Sequence, residues 1–235
     1  MLTATGLSKQ YGAHTALNDL HLNVQPGEIY CLLGANGAGK STTIKLFLGL
    51  LRPTAGAAIV DGIDVARDPR AARGRMLYIP EMVALYDELT GMENLAYFAS
   101  LSQVPDRSPA RLRQCLADAG LQPAAFDQRV GDFSKGMRQK VGIALALAKD
   151  ARALLLDEPT SGLDPKASAE FHELLNRQRD RGAAILMATH DLFRAREVGT
   201  SIGLMRAGRL RRTLTAASVT TQDLEALYLE EMAGD

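Results

Sequence analysis

The chain lacks an excess of charge of either sign. Lysine plus arginine and aspartate plus glutamate each number 27 in 235 residues, which gives a formal net charge of zero. Because a nucleic-acid-binding surface usually shows a basic excess, this balance predicts that the protein has no nucleic-acid partner. Cysteine is scarce as well. We interpret Cys31 and Cys115 as buried or incidental thiols of a protein that works in a reducing compartment.

Long apolar runs are also missing from the sequence. The best stretch, Val141 to Ala148, is eight residues long, whereas a helix needs roughly 18 apolar residues to cross a bilayer. No signal-peptide pattern precedes Leu2, so we expect a cytoplasmic protein. His14, His21 and His172 share no ligand-like spacing, and we assign no metal site to them.

A glycine-rich segment begins at Gly34 and reads Gly-x-x-x-x-Gly-Lys-Ser. It follows a short apolar run, residues 28–33, that predicts a buried parallel strand, and it precedes apolar residues at helical spacing. Strand, glycine loop and helix in this order predict a phosphate-binding loop. We expect Lys40 to reach the β- and γ-phosphates and the Ser41 hydroxyl to bind Mg²⁺. The nucleotide-binding residues predicted here are Gly34, Ala35, Asn36, Gly37, Ala38, Gly39, Lys40, Ser41 and Thr42.

Two acidic residues follow a second buried strand, at residues 153–156. Asp157, at the strand end, is well placed to bind Mg²⁺. Glu158, which we expect to point the opposite way along the strand, suits the polarisation of an attacking water. Two acids at a strand end are often only a solvated turn, but the phosphate loop upstream favours the catalytic interpretation.

These and four further motifs stand along the chain in the order found in the ATP-binding cassette ATPases, the motor subunits of ABC transporters, and the sequence resembles that family. The resemblance covers nearly the whole chain and implies ATP and Mg²⁺ as cofactors. It implies that Tyr11 stacks on adenine, that Asp164 belongs to a loop crossing a dimer seam, and that His190 holds the γ-phosphate. The segment that matches the family signature contributes the implied nucleotide contacts Ser134, Lys135, Gly136 and Met137.

Elementary chemistry supports the role of the signature segment. Ser134 and Gly136 open a predicted helix, Lys135 to Ala148, so a hydroxyl, backbone N–H groups and the positive helix end all face one anion. Lys40 already serves the phosphates of its own chain, so this anion would be the γ-phosphate held by a partner chain. A simpler role for Ser134 is that of a helix N-cap.

Tyr11 and His190 are less specific on their own. A lone tyrosine is more often core or surface filler, and a lone histidine at a strand end is more often structural. His190 follows a buried strand at residues 183–188, which would place it at the same sheet edge as Glu158, where an imidazole can donate to phosphate.

Three residues depart from the commonest pattern of the family. Glu81 stands where a glutamine usually binds magnesium, Lys135 replaces the first glycine of the signature, and Met137 replaces its glutamine. These departures resemble a subgroup of bacterial cassettes that work with separate, mostly exporting, membrane proteins. We therefore predict Ser41, Glu81 and Asp157 as the magnesium ligands.

The element pattern predicts an α/β fold, with a P-loop NTPase core in which a mainly parallel sheet is flanked by helices. A small antiparallel β lobe and an inserted α-helical subdomain complete it. Helices are predicted over residues 93–103, 109–120 and 135–148, and another over 166–181 between two strands, as a βαβ unit. We assign residues 1–219 to one ATP-binding domain, with the helical subdomain at about 82–148. Residues 220–235 are assigned to a docked C-terminal helix or tail.

Together with the resemblance, these features predict the ATP-binding and ATP-hydrolysing subunit of an ABC transporter. Two copies would close around two ATP and power transport, with export favoured, by a separate membrane permease. The coupling helix of that permease would sit near residues 83–89, which makes the protein peripheral on the cytoplasmic face of the membrane.

Two other functions stay open at this point. A soluble cassette ATPase acting on ribosomes or DNA usually carries two fused cassettes or long coiled coils, and neither appears in this sequence. A regulatory subunit that binds nucleotide without turnover would need neither Glu158 nor His190.

Overall fold

The computed structural model describes residues 1–233, which form two compact units. The first unit comprises Met1–Tyr78, Arg152–Glu158 and the chain from Gln178 onward, and the second comprises Ile79–Ala151 and Pro159–Arg177. The last two residues of the predicted C-terminal segment, 234 and 235, lie outside the described residues.

Within residues 1–233, ten strands and eight α-helices follow one another along the chain. The strands are β1 (Leu2–Tyr11), β2 (His14–Val24), β3 (Ile29–Leu33), β4 (Ala55–Val60), β5 (Ile63–Asp64), β6 (Met76–Ile79), β7 (Ala153–Asp157), β8 (Ala184–Thr189), β9 (Ser201–Arg206) and β10 (Arg209–Thr215). The helices are α1 (Lys40–Phe47), α2 (Pro69–Arg75), α3 (Gly91–Leu101), α4 (Pro109–Asp118), α5 (Lys135–Lys149), α6 (Pro165–Asp180), α7 (Leu192–Val198) and α8 (Thr221–Ala233).

The strands form two sheets. A four-stranded sheet has the order β2-β1-β4-β5, and every pairing in it is antiparallel. A six-stranded sheet has the order β10-β9-β3-β8-β7-β6, in which β3 pairs in parallel with both β8 and β9, and β7 with β8. The predicted parallel core and small antiparallel lobe are therefore confirmed.

Burial explains why the strands fall into these two classes. Every residue of β3 and of β8 is buried, as expected for central parallel strands covered on both faces. In β2 the buried residues Leu20, Leu22 and Val24 alternate with exposed ones, and this strand lies at the edge of its sheet. This alternation along residues 20–24 is the sequence pattern typical of an edge strand.

One apolar cluster joins α1 to both sheets. Ile44 and Phe47 of α1 are fully buried in the same cluster as Leu7 of β1, Leu155 of β7 and Leu186 of β8. Burying several large side chains of one short helix anchors it firmly, since each contributes about 1.5–3 kcal/mol. The start of α1, where the glycine loop ends, is thereby held at the edge of the parallel sheet.

Helix α1 ends earlier than its apolar spacing suggests. Leu48 and Leu51 continue the helical spacing of Ile44 and Phe47, but Gly49 has a φ of 66° and ends the helix. The N–H of Leu50 donates to the carbonyl of Lys45, and the N–H of Gly49 donates to that of Leu46. These two bonds form a Schellman motif, in which a left-handed glycine satisfies the last carbonyls of a helix.

The second unit is helical and contains α3, α4, α5 and most of α6. Its helices begin at polar caps: Thr90 forms a capping box with Glu93 at α3, and the hydroxyls of Ser108 and Ser134 accept backbone N–H groups at α4 and α5. Helix α5 runs from Lys135 to Lys149, one residue beyond the prediction.

The described part of the C-terminal segment is a helix that docks on the first unit. Leu224 of α8 is fully buried, and the Arg206 guanidinium donates to the carbonyl of Glu231 at 2.8 Å. The Arg212 side chain lies 3.1 Å from the Glu231 carboxylate. The predicted docked helix is confirmed over residues 221–233.

The lack of long apolar runs and the scarcity of cysteine can both be followed in the structure. No helix within residues 1–233 combines the length and apolar character needed to span a bilayer. Cys31 and Cys115 are both buried, and burial raises the pKa of the Cys31 thiol to about 12. Cys31 is therefore an inert thiol, as predicted.

Candidate functional site

The glycine loop joins β3 to α1 and leaves the beginning of α1 open. Gly39 is the N-cap, with a φ of 107°, and no side chain accepts a hydrogen bond from the first turn. A Cβ at Gly39 would lie 2.8 Å from the Ala16 carbonyl oxygen, so only glycine fits. The helix therefore presents backbone N–H groups and its positive end, which is an arrangement suited to an anion such as phosphate.

Lys40 is buried at the base of this loop. Its ammonium donates to the carbonyls of Gly34 at 2.6 Å and Ala35 at 3.2 Å, and it lies 3.8 Å from Oε1 of Glu158. Burial lowers the pKa of Lys40, and the attraction of Glu158 and Asp157 partly offsets this effect. The loop carbonyls thus hold the ammonium at the place where phosphates would bind.

Ser41 and Asp157 lie next to each other, although 116 positions separate them in the sequence. The Ser41 hydroxyl donates to Oδ1 of Asp157 at 3.3 Å. Burial raises the pKa of Asp157, the hydrogen bond from Ser41 lowers it, and the charge of Glu158 raises it.

The oxygens of Ser41 and Asp157 fit magnesium. No group of three or more His, Cys, Asp or Glu within residues 1–233 is arranged to enclose a metal. Magnesium does not require such a group, since it is usually held by one or two protein ligands with phosphate and water oxygens completing its shell. The hydroxyl and carboxylate are ligands of this kind.

Glu158 does not continue strand β7, and the expected alternation with Asp157 is wrong. The strand ends at Asp157, and Glu158 has a φ of 47°, in the left-handed region that residues with a side chain seldom adopt. Its N–H donates to the carbonyl of Ala188 at 2.9 Å, which fixes this turn against β8. Contacts with the neighbouring strand, rather than the period of β7, decide where the Glu158 carboxylate points.

The Glu158 carboxylate meets His190, as the shared sheet edge predicts. Oε1 lies 3.0 Å from Nδ1 of His190. The Glu158 side chain is 17% exposed and the His190 side chain 61%. Oε1 is buried, and among the described residues it has no hydrogen bond of acceptable geometry. A buried carboxylate oxygen without such a bond is suited to accept one from water.

The signature residues gather in the second unit. The Ser134 hydroxyl accepts the N–H of Met137 at 3.3 Å, so its simpler role as the N-cap of α5 is confirmed. Gly136 faces α6, where a Cβ would touch Ala167 at 3.4 Å. Ser134, Gly136, Met137 and Asp164 line one open cavity of about 190 Å³. Asp164 also accepts the N–H of Ala167 at the start of α6.

Lys135 and Glu81 meet each other within the second unit. The Lys135 ammonium donates to the carbonyl of Ser161 at 2.5 Å and lies 3.7 Å from Oε1 of Glu81. Ser41 and Asp157, the other two predicted magnesium ligands, come together in the first unit. Gln139, which sequence reasoning missed, is fully buried and donates to the carbonyl of Pro159. The sequence did hold a sign of this contact: Gln139 lies four residues after Lys135 in the predicted helix, so the two side chains share one helix face.

Tyr11 ends strand β1 and is 46% exposed, so it is not a core residue. The ammonium of Lys9 lies 5.0 Å from the centroid of its ring, which is a cation–π distance. An exposed ring of this kind can stack on a planar ligand.

Comparison with known families extends these observations. The family model described as "ABC transporter" matches residues 17–161, which is more than half of the chain. The ABC-type transporter ATP-binding protein EcsA of Bacillus subtilis is 35% identical over 98% of this chain and 96% of its own length. The bacitracin transport ATP-binding protein BcrA of Bacillus licheniformis is 35% identical over 89% of this chain and 68% of its own.

Solved structures share the whole architecture. A structure described as the ATP-binding subunit of an ABC transporter has a TM-score of 0.86 and 35% identity, and covers 99% of both chains. The ATP-binding cassette MJ0796, described as a dimer in a post-hydrolysis state bound to ADP and Pi, has a TM-score of 0.80 and 26% identity. That similarity covers 92% of this chain and 99% of MJ0796.

Proposed function

The chain belongs to the ABC transporter family of ATP-binding cassettes, and we propose that it works as a homodimer around two ATP–Mg²⁺ to drive a separate membrane permease. It is an ATP-binding subunit and an ATPase. One observation carries the proposal: the chain has two separate anion-facing helix starts. The start of α1 adjoins Lys40 in the first unit, and the start of α5 carries Ser134 in the second.

In this proposal each chain binds the phosphates of its own ATP with the first unit. The free N–H groups at the start of α1 bind the β-phosphate, and Lys40 reaches the β- and γ-phosphates. Ser41 and Asp157 would hold Mg²⁺, which when bound neutralises phosphate charge. Glu81 is proposed as a further ligand, and Tyr11 is proposed to stack on the adenine.

Hydrolysis needs a positioned water and a group that accepts its proton. Glu158 fits this role because its mostly buried carboxylate lies 3.8 Å from the Lys40 ammonium, which is proposed to reach the γ-phosphate. The His190 imidazole lies 3.0 Å away and is largely exposed, so it can donate to the γ-phosphate while contacting Glu158. We infer that Glu158 orients the water and that His190 senses the phosphate being cleaved.

The second helix start would complete the site of a partner copy. Ser134, Gly136 and Met137 line a cavity with Asp164, at an end of α5 where the helix dipole favours a negative charge. The MJ0796 structure is described as a dimer, which supports an assembly of two cassettes. ATP would then join two chains, and its hydrolysis would remove the bridge.

Exposed apolar side chains of the second unit support a membrane partner. Met82 is 76% exposed and Leu101 63%, and Tyr86 and Tyr97 are also exposed. The rings of Tyr86 and Tyr97 are in edge contact, with centroids 5.1 Å apart. We propose that the stretch containing Met82 and Tyr86, which adjoins and overlaps the segment predicted to seat a coupling helix, binds a short cytoplasmic helix of the permease. The protein would then lie at the cytoplasmic face of the membrane.

Transport remains the best-supported use of the ATPase. EcsA and BcrA are named as transporter or transport ATP-binding proteins, and neither name refers to ribosomes or DNA. BcrA is named for bacitracin transport, and we propose export as the direction for this chain.

The homodimer can be tested with the variant Glu158→Gln. Replacing the carboxylate with an amide removes the proton acceptor but leaves the phosphate-binding residues intact, so ATP–Mg²⁺ should accumulate in the site. We expect a stable dimer that size-exclusion chromatography with light scattering detects at saturating ATP–Mg²⁺. With ADP the same variant should be monomeric.

A matched variant separates nucleotide binding from dimer formation. Lys40→Ala combined with Glu158→Gln should stay monomeric with ATP, because the lost ammonium weakens nucleotide binding. If Glu158→Gln alone remains a monomer while calorimetry shows bound ATP, the shared-site proposal is wrong.

A further inference from the structure

Lys135 is the first residue of α5, where its charge does not help the helix. The positive end of the helix dipole opposes a cation at this position. The first turn of α5 contains no acidic residue that would balance the charge. Any contacts that stabilise the Lys135 charge must therefore come from outside α5.

Two contacts hold the Lys135 side chain, and they differ in strength. The ammonium donates to the Ser161 carbonyl at 2.5 Å, and it lies 3.7 Å from Glu81. The Lys135 side chain is 28% exposed and the Glu81 side chain 53%. A half-exposed ion pair at this distance is weak, whereas a short hydrogen bond from a charged donor is strong.

A second side chain of α5 contacts the same loop. Gln139 lies one turn after Lys135, is fully buried, and donates to the carbonyl of Pro159. Pro159 and Ser161 belong to the loop 159–164, which follows Glu158 directly in the chain. The first turns of α5 thus hold two carbonyls of this loop.

We propose that Lys135 is a positioning residue for ATP hydrolysis. It fixes the backbone of loop 159–164 through the Ser161 carbonyl, with Glu81 as its counter-charge, and thereby restricts the chain next to Glu158. The inference rests on the proposed catalytic role of Glu158. Lys135 and Glu81 both depart from the commonest family pattern, and their contact explains the departures together, because each charge balances the other.

The competing role for Lys135 is a direct contact with nucleotide bound by a partner copy. The two roles predict different kinetics. A residue that binds nucleotide mainly affects KM, whereas a residue that orders the catalytic loop mainly affects kcat. The existing bond to Ser161 favours the second role.

The kinetic test uses the full-length chain and its steady-state ATPase activity. We expect Lys135→Gln to lower kcat about tenfold, the effect of losing one hydrogen bond from a charged donor. The KM for ATP–Mg²⁺ should stay within about twofold of the unmodified value. Lys135→Arg should restore most of the lost kcat, because it keeps the charge and the donors.

Arg113→Gln is the matched control. It removes a cation from an exposed ion pair with Asp127 in the same unit, and Asp127 lies outside loop 159–164. Its kcat should equal that of the unmodified chain. A Lys135→Gln enzyme with unchanged kcat, a rise in KM alone, or a Lys135→Arg enzyme as slow as Lys135→Gln would each overturn the proposal.

Amide hydrogen exchange measures the loop directly, in the nucleotide-free chain. The N–H of Leu163 donates to the carbonyl of Thr160 at 3.2 Å and reports on the order of the loop. Lys135→Gln should speed its exchange about tenfold. Glu81→Gln, which removes only the counter-charge, should speed it less than about fivefold.

Unchanged Leu163 exchange in Lys135→Gln would overturn the proposal, and so would a larger effect of Glu81→Gln than of Lys135→Gln. Because this measurement needs neither ATP nor a dimer, its outcome is independent of the chromatography of Glu158→Gln. A failure of the homodimer and a failure of the Lys135 contact can therefore be told apart.

Discussion

Asp157, a proposed magnesium ligand, has a charge that costs stability in the nucleotide-free chain. Burial raises the pKa of this carboxyl in the folded chain, so the folded state holds its proton more tightly than the unfolded state does. Ionisation of Asp157 therefore destabilises the nucleotide-free fold. The destabilisation is absent at a pH below the ordinary aspartate pKa, appears as the pH rises through the raised value, and is complete above it.

At the residue scale we therefore expect Asp157→Asn to stabilise the nucleotide-free protein at neutral pH. The amide keeps an acceptor for the Ser41 hydroxyl but carries no charge. The Tm at pH 7.5 should rise by up to about 4 °C, the shift that about 1 kcal/mol gives in a domain of this size. The gain should shrink as the pH is lowered toward the ordinary aspartate pKa, and ATPase activity should be lost.

Asp127→Asn is the control for this measurement. Its carboxylate is exposed and pairs with Arg113 on the surface, so removing its charge should not stabilise the fold at any pH. An Asp157→Asn protein that melts below the unmodified chain at pH 7.5 would contradict the assignment of burial as the dominant effect.

Helix starts are the feature that matters at the scale of elements. Helices α4 and α5 both begin at a serine whose hydroxyl accepts an N–H three residues later. The two caps are locally equivalent, and each should stabilise its helix by about 1 kcal/mol. Only the start of α5 opens into the cavity that Gly136 and Asp164 also line.

We therefore expect Ser134→Ala and Ser108→Ala to have the same effect on stability and different effects on activity. Each should lower the free energy of unfolding by about 1 kcal/mol, measured by urea denaturation. Ser134→Ala should also lower kcat about a hundredfold, as expected for one lost donor to a phosphate at the transition state. Equal activity of the two variants would show that Ser134 is only a cap.

At the scale of the whole molecule, exposed apolar side chains occur in both units. Met82, Tyr86, Tyr97 and Leu101 belong to the second unit, whereas Leu229 lies on α8 in the first. Isolated exposed apolar residues are common on protein surfaces. A group that contains a cluster of tyrosines is more typical of a binding surface.

We expect Met82→Asp to weaken association with the permease. Met82 is 76% exposed, so the change should leave the fold intact, while a charge would have to be buried under the bound helix. The measurement is co-purification from detergent after co-expression with the membrane permease. Leu229→Asp, a matched change at a residue that is 59% exposed, should co-purify normally. Loss of association in both variants, or in neither, would contradict the proposed docking surface.

Much of the core was predictable from local patterns. A strand, a glycine loop and a helix follow one another in residues 28–47, and a phosphate-binding loop needs only this contiguous segment. The edge strand at residues 20–24 and helix α5 were equally readable from the alternation and spacing of their apolar residues. In each case the residues that form the sequence pattern are the same contiguous residues that form the element.

The geometry of Glu158 and of Lys135 needed the folded chain. The left-handed turn at Glu158 exists because its N–H is held by Ala188 of an adjacent strand, and the strand period of β7 predicts a different direction. The Lys135 ammonium meets Ser161, 26 positions away, and Glu81, 54 positions away in the other direction.

Local pattern was enough for the identity of the nucleotide loop, because glycine, lysine and serine act there through backbone turns and side chains only a few residues apart. Long-range packing decided where the Glu158 carboxylate points and which atoms Lys135 holds. The reason is physical: hydrogen bonds between distant segments depend on how those segments are brought together, and no periodicity along the chain records that.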